Sequence, residues 1–187
     1  MIQRLKNAMQ LKHALLAALL VLPALPAMSA PSSEPSVQVG FSPEGTALQL
    51  VLEAINSSQQ SIHMMAYSFT DPDVMKALIA AKKRGVDVKI VIDEDGNKNG
   101  ASKHAMNLMA QNNIPLRIDG AYKIQHDKVM VIDGVSVETG SYNFSRAAAR
   151  SNSENAVVIW NMPQLAKAYL DHWQIRWDKG QDYQVSY

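Results

Sequence analysis

The stretch 61-SIHMMAYSFTDPDVMKALIAAKKRGVDVKIVI-92 decides the fold. Residues 61–69 form a run of strand character. Asp71 followed by Pro72 then supplies a cap residue and a favoured first helical residue. Val74, Leu78 and Ile79 recur at helical spacing until Gly85 ends the pattern. Residues 86–92 are nearly continuous in Val and Ile, as a strand covered on both faces requires.

On the N-terminal side, residues 37–41 read as a strand and Ser42-Pro43-Glu44-Gly45 as a turn. Ala47, Leu48, Val51, Leu52 and Ile55 then line one face of a helix. On the C-terminal side, residues 93–100, DEDGNKNG, read as a polar loop open to solvent. It has the flavour of a calcium loop but lacks the glutamate at the twelfth position and the flanking-helix spacing. A helix over about 102–111 follows. Residues 115–118, 128–132, 135–139 and 155–160 read as strands, with Asp133-Gly134 as a tight connection, and 163–177 as a closing helix. The expected fold is α/β, a mixed β-sheet sandwiched between helices in a single domain over 31–187.

Composition agrees with one folded domain. The chain has 187 residues, 47% hydrophobic and 19% charged, which lies outside the disordered range. It has no cysteine, so disulfides and cysteine-held zinc are excluded. The first thirty residues are a separate matter. Arg4, Lys6 and Lys12 precede an apolar run over 14–22, then Pro23, Pro26 and small residues up to Ala30. That order reads as a secretory signal over 1–30, so a periplasmic or secreted location is expected. Its apolar run of nine residues is about half of what a spanning helix needs. Without this segment, 15 basic side chains face 17 acidic ones. A polyanion would have to be held by a local cluster of cations, not by the overall field.

The chemistry concentrates in 126-HDKVMVIDGVSVETGSYNFS-145. Side chains two apart on an extended chain share a face, so His126 and Lys128 project together. An ammonium there can hold a phosphate oxygen while the imidazole faces phosphorus, as nucleophile when neutral and as acid when charged. Ser141 and Asn143 repeat the two-residue spacing after Gly140 and can donate to the same oxyanion. Glu154 offers a carboxylate to orient the imidazole, or a strand-start group that pairs with Arg150. Asp133 stands at odd spacing from His126 beside a turn, and reads as a supporting residue that links strands or pairs a cation. From the frequencies of His, Lys and Asp in this chain, chance gives about 0.02 matches to H-x-K-x4-D.

These residues resemble the phospholipase D superfamily, whose signature is HxKx4D followed by GSxN, and within it the small secreted Nuc-type bacterial endonucleases. The likeness includes SENAVVIW at 153–160 and HWQIRW at 172–177. The resemblance implies a phospholipase D-like fold and a phosphodiesterase that needs neither metal nor cofactor. In that chemistry one histidine attacks phosphorus, a second protonates the leaving oxygen, and water resolves the phosphohistidine. Large family members carry two HxKx4D motifs; this chain has one, since His13, His63, His104 and His172 all lack the following lysine. A homodimer sharing one site is therefore expected. Each His126 would serve as nucleophile or acid, Lys128 and Asn143 would hold the phosphoryl oxygens, and Ser141 would support them. A nucleic acid gripped by its backbone is the favoured substrate, with Lys98, Lys103, Lys123, Arg146 and Arg150 as a basic rim. A membrane lipid is the alternative, and a binding module without turnover a third reading. Trp160, Trp173 and Trp177 read as packing or dimer residues, and His63 and His172 as ordinary packed histidines.

Overall fold

The computed structural model describes residues 34–185; the leader-like segment 1–30 lies outside them. In chain order the elements are β1 (Ser36–Ser42), α1 (Thr46–Ser57), β2 (Ser61–Ala66), α2 (Pro72–Lys83), β3 (Asp87–Asp93), a 3-10 turn (Asp95–Asn97), α3 (Gly100–Gln111), β4 (Leu116–Asp119), β5 (Lys128–Ile132), β6 (Ser136–Gly140), α4 (Arg146–Arg150), β7 (Glu154–Trp160), α5 (Pro163–Lys179) and β8 (Gln181–Asp182). The strands make one sheet in the order β1-β7-β6-β5-β2-β3-β4-β8. Strands β2, β3 and β4 run parallel, while β5, β6, β7 and β1 alternate beside them. The expected mixed α/β architecture is the one observed.

Period-two alternation sorts the strand side chains onto two faces. Met64, Ile90, Ile92, Met130, Ile132 and Val158 meet the apolar faces of α1, α2 and α3 in the larger core. Met65, Val91, Val129, Val131 and Val137 meet Ala166 and Trp173 of α5 on the other side. The central strands are thus covered twice, and truncating a buried Met or Ile to Ala would cost about 2–5 kcal/mol. Asp71 caps α2 as expected, accepting from the N–H groups of Asp73 (2.8 Å) and Val74 (3.4 Å).

Three local features differ from the sequence reading. Strand β2 stops at Ala66 instead of continuing to Phe69, because after one more in-register bond the backbone donors turn to other partners. Tyr67 N–H donates to the Asp127 carbonyl at 3.0 Å, Thr70 N–H to the Phe144 carbonyl at 2.9 Å, and Phe69 N–H to Asn97 Oδ1 at 3.1 Å. The 93–100 loop is not simply solvated, since Asp93 and Asn97 within it are each 2% exposed. Helix α4 and the two-residue β8 are additional elements.

Candidate active site

The pairing of β2 with β5 sets the site. Ala66, at the end of β2, lies opposite Lys128, at the start of β5. The end of β6 and the start of β7 come to the same edge, with Gly140 paired to Ala156. That edge, at the C-terminal ends of the parallel strands, is where open α/β sheets place ligands.

His126 is exposed, just ahead of β5, while Lys128 is buried at 7% exposure. The Lys128 ammonium donates to the His126 carbonyl oxygen at 2.8 Å. Burial lowers the Lys128 pKa, and the negative charges of Asp127 and Glu154 pull it back up. Asp127, between the two, turns to the opposite face. Its carboxylate accepts from Gln125 Nε2 at 3.0 Å and lies 3.4 Å from His172 and 3.9 Å from Arg176 on α5.

The GSYN segment is held by a close approach. A Cβ on Gly140 would lie 2.3 Å from the Asn155 carbonyl oxygen, so only glycine lets β6 end this near β7. That carbonyl accepts from both Ser141 N–H and Tyr142 N–H, each at 3.1 Å. Ser141 Oγ donates to Glu154 at 2.6 Å and accepts from Asn155 N–H at 3.0 Å. Glu154 takes its second hydrogen bond from Asn152 Nδ2 at 2.9 Å. Among the described residues its carboxylate accepts from Ser141 and Asn152, and the imidazole of the same chain is not one of its hydrogen-bond partners. Asn143 is partly buried, and its Oδ1 has no hydrogen-bond partner among the described residues.

Asp133 is not brought to this edge. It follows β5 at the far end, about 16 Å from Lys128 along an extended strand. Its carboxylate accepts from the N–H groups of Gln59 (2.9 Å), Gln60 (2.8 Å) and Ser61 (2.9 Å), and its own N–H donates to the Ser61 carbonyl at 2.9 Å. Asp133 therefore joins β5 to the start of β2, away from the edge that carries His126 and Lys128, and takes no part in a catalytic group there. His63 packs on the Trp173 ring at 4.4 Å, and Trp173 donates through Nε1 to the Met64 carbonyl at 3.1 Å, so both belong to the α5 core. Tyr67, which the motif did not flag, stands beside His126 with ring centroids 4.5 Å apart. No sequence signal marked it, since the contact forms only where the end of β2 lies beside the start of β5.

A family model described as "Cardiolipin synthase, PLD-like domain" matches residues 51–177, and the chain belongs to the phospholipase D superfamily. The Nuc protein of Salmonella typhimurium, a phospholipase D family member of known crystal structure, is 67% identical. The match covers 81% of this chain and 99% of that one, with a TM-score of 0.80. The "Phospholipase D" of Rickettsia typhi is 37% identical over 141 residues, 75% of this chain and 68% of the relative. The "Mitochondrial cardiolipin hydrolase" of Xenopus laevis is 27% identical over 139 residues, 72% of this chain and 62% of the relative. A phospholipase D-family phosphodiesterase is the activity that the family and the site define together.

Proposed function

We propose that the protein is a metal-independent endonuclease that cleaves DNA or RNA backbones through a phosphohistidine, at a site completed by two copies of the chain. The observation that carries this reading is the geometry at the sheet edge: an exposed imidazole beside a buried ammonium and the GSYN segment, with one His–Lys pair per chain. His126 of one copy attacks phosphorus, forming a P–N bond as the P–O bond to the leaving group breaks. The imidazolium of the second copy's His126 gives its proton to the leaving oxygen. That imidazole, now neutral, takes a proton from water as the water oxygen attacks phosphorus, and the P–N bond breaks to free the first histidine. Lys128 and Asn143 offset the charge on the phosphoryl oxygens, and Ser141, whose hydroxyl donates to Glu154 and accepts from Asn155 N–H, holds the GSYN segment that carries Asn143 in place.

An uncovered apolar stripe supports the paired assembly. Val37, Val39 and Phe41 on β1 are 60%, 59% and 52% exposed, and all lie on the α5 side of the sheet. High identity to Nuc favours a polynucleotide substrate; the Rickettsia and Xenopus relatives are named for lipids, and lipid diesters are the second reading. The order of charged, apolar and small residues over 1–30 supports a periplasmic or secreted location for this reaction. Supercoiled DNA and phosphatidylcholine vesicles incubated side by side in excess EDTA test the proposal. Nicked DNA with intact lipid is the expected result; hydrolysis of lipid alone, or dependence on added metal, contradicts it.

A further inference from the structure

Tyr67 makes three contacts with the His126-Asp127-Lys128 segment. Its ring meets the His126 imidazole nearly edge-on, with centroids 4.5 Å apart and planes at 64°. The same ring lies under the Lys128 ammonium, 5.3 Å from the centroid. Its backbone N–H donates to the Asp127 carbonyl at 3.0 Å. One side chain therefore touches both groups on which the proposed reaction depends.

The tyrosine is in turn braced by the loop after β3. Asn97 donates through Nδ2 to the Tyr67 carbonyl at 2.8 Å and to the Asp93 carbonyl at 2.9 Å, while its Oδ1 accepts from Phe69 N–H at 3.1 Å. Asn97 thus pins the chain on both sides of Ser68. Gly96 lies flush against Tyr67: a Cβ there would fall 2.4 Å from the Tyr67 carbonyl oxygen and 3.0 Å from ring atom Cε2. Asp93 closes the frame, accepting from Gly96 N–H at 2.7 Å and from Gln125 N–H, next to His126, at 2.6 Å. Asp93 and Asn97 of DEDGNKNG thus bond backbone atoms that fix Tyr67 and the approach to His126, while Asp95 pairs with Lys98 and Asn99 caps α3.

We infer that Tyr67 is a positioning residue for the reaction: its ring sets the angle of the His126 imidazole and holds the Lys128 ammonium, and the 93–97 loop is its brace. The inference rests on the reaction assigned above. An imidazole on an exposed segment has two free torsions, and in-line attack needs one orientation of them. The ring edge restricts that choice. The π face gives a buried ammonium a second interaction besides the His126 carbonyl, and so keeps it aimed without neutralising it. Both effects come from the aromatic ring; the phenolic oxygen has no part in them.

The test uses the full chain and the small diester bis(p-nitrophenyl) phosphate, so that grip on a polymer does not enter. Tyr67→Phe is expected to keep kcat within about 3-fold, while Tyr67→Leu lowers it roughly 10–100-fold with little change in KM, the size of effect that misplacing a reacting group produces. Gly96→Ala is expected to act in the same direction, because it displaces the Tyr67 carbonyl. Equal kcat in Tyr67→Leu and wild type, or a loss as large in Tyr67→Phe as in Tyr67→Leu, overturns the inference. Should a variant fail to fold, NMR of wild type decides: cross-relaxation between Tyr67 and His126 ring protons is expected, and its absence overturns the inference. A wild type inert on every diester sinks the assigned reaction instead, and the NMR result still judges the contact by itself.

Discussion

Lys128 and Asp133 belong to the same short motif yet sit at opposite ends of β5, and their surroundings explain the division of labour. Lys128 is a buried cation whose own hydrogen bond is to a carbonyl; Asp133 is an anion fully engaged with three backbone N–H groups. Asp133→Ala leaves those donors without their acceptor and is expected to lower stability by about 2–4 kcal/mol in urea unfolding, while the folded fraction keeps its kcat. Glu138 gives a pH prediction. It projects from β6 between Met130 and Val158, is fully buried, and has no hydrogen-bond partner for either oxygen among the described residues, so burial raises its pKa well above the usual carboxylate range. Between the unfolded value near 4.5 and the raised folded value, the folded chain binds the extra proton. Stability should therefore fall as pH rises through that interval. Glu138→Gln removes this dependence, so its urea midpoint is expected to exceed that of wild type more at pH 8 than at pH 5. The motif residues were legible because period two puts His126 with Lys128 and Ser141 with Asn143; Tyr67, Asp93 and Asn97 were not, because only the folded sheet edge brings them to His126.

At the scale of elements, what was legible had a period long enough to repeat. The helix at 71–83 announced itself through its cap and its apolar face, and β3 through its Val and Ile run. Five-residue α4 has room for little more than its Ser145 cap, which accepts from Ala148 N–H at 3.3 Å, and β8 is two residues long; neither carries a readable repeat. The end of β2 was misplaced for a different reason, since apolar character continues to Phe69 while, past Tyr67, the hydrogen bonds leave the ladder for Asn97 and Phe144. Asp127 also couples elements, because its carboxylate reaches from the start of β5 to His172 and Arg176 on α5. Asp127→Ala is expected to speed amide hydrogen exchange in the C-terminal half of α5 while leaving α1 and α2 unchanged.

Among the described residues nothing covers the apolar side chains of β1, and the chemistry asks for a second imidazole. A pairing that covers this stripe and also brings together the two sheet edges that carry His126 would satisfy both demands. Val39→Glu combined with Phe41→Glu puts two charges on that stripe and is expected to give a folded monomer by sedimentation, with at least a 100-fold loss of diesterase activity, since desolvating unpaired charges opposes association. The count of histidine–lysine pairs was legible in the sequence, but the stripe was not identified as a contact surface until the sheet order placed β1 at its edge.

The most direct measurement mixes wild-type chains with His126→Ala chains under conditions where subunits exchange, then follows activity at constant total protein. A site that needs both imidazoles leaves only wild-type pairs active, so an equal mixture should retain about a quarter of the wild-type rate. Retention of half, falling in simple proportion to the wild-type fraction, would mean that each chain works alone and would contradict the account.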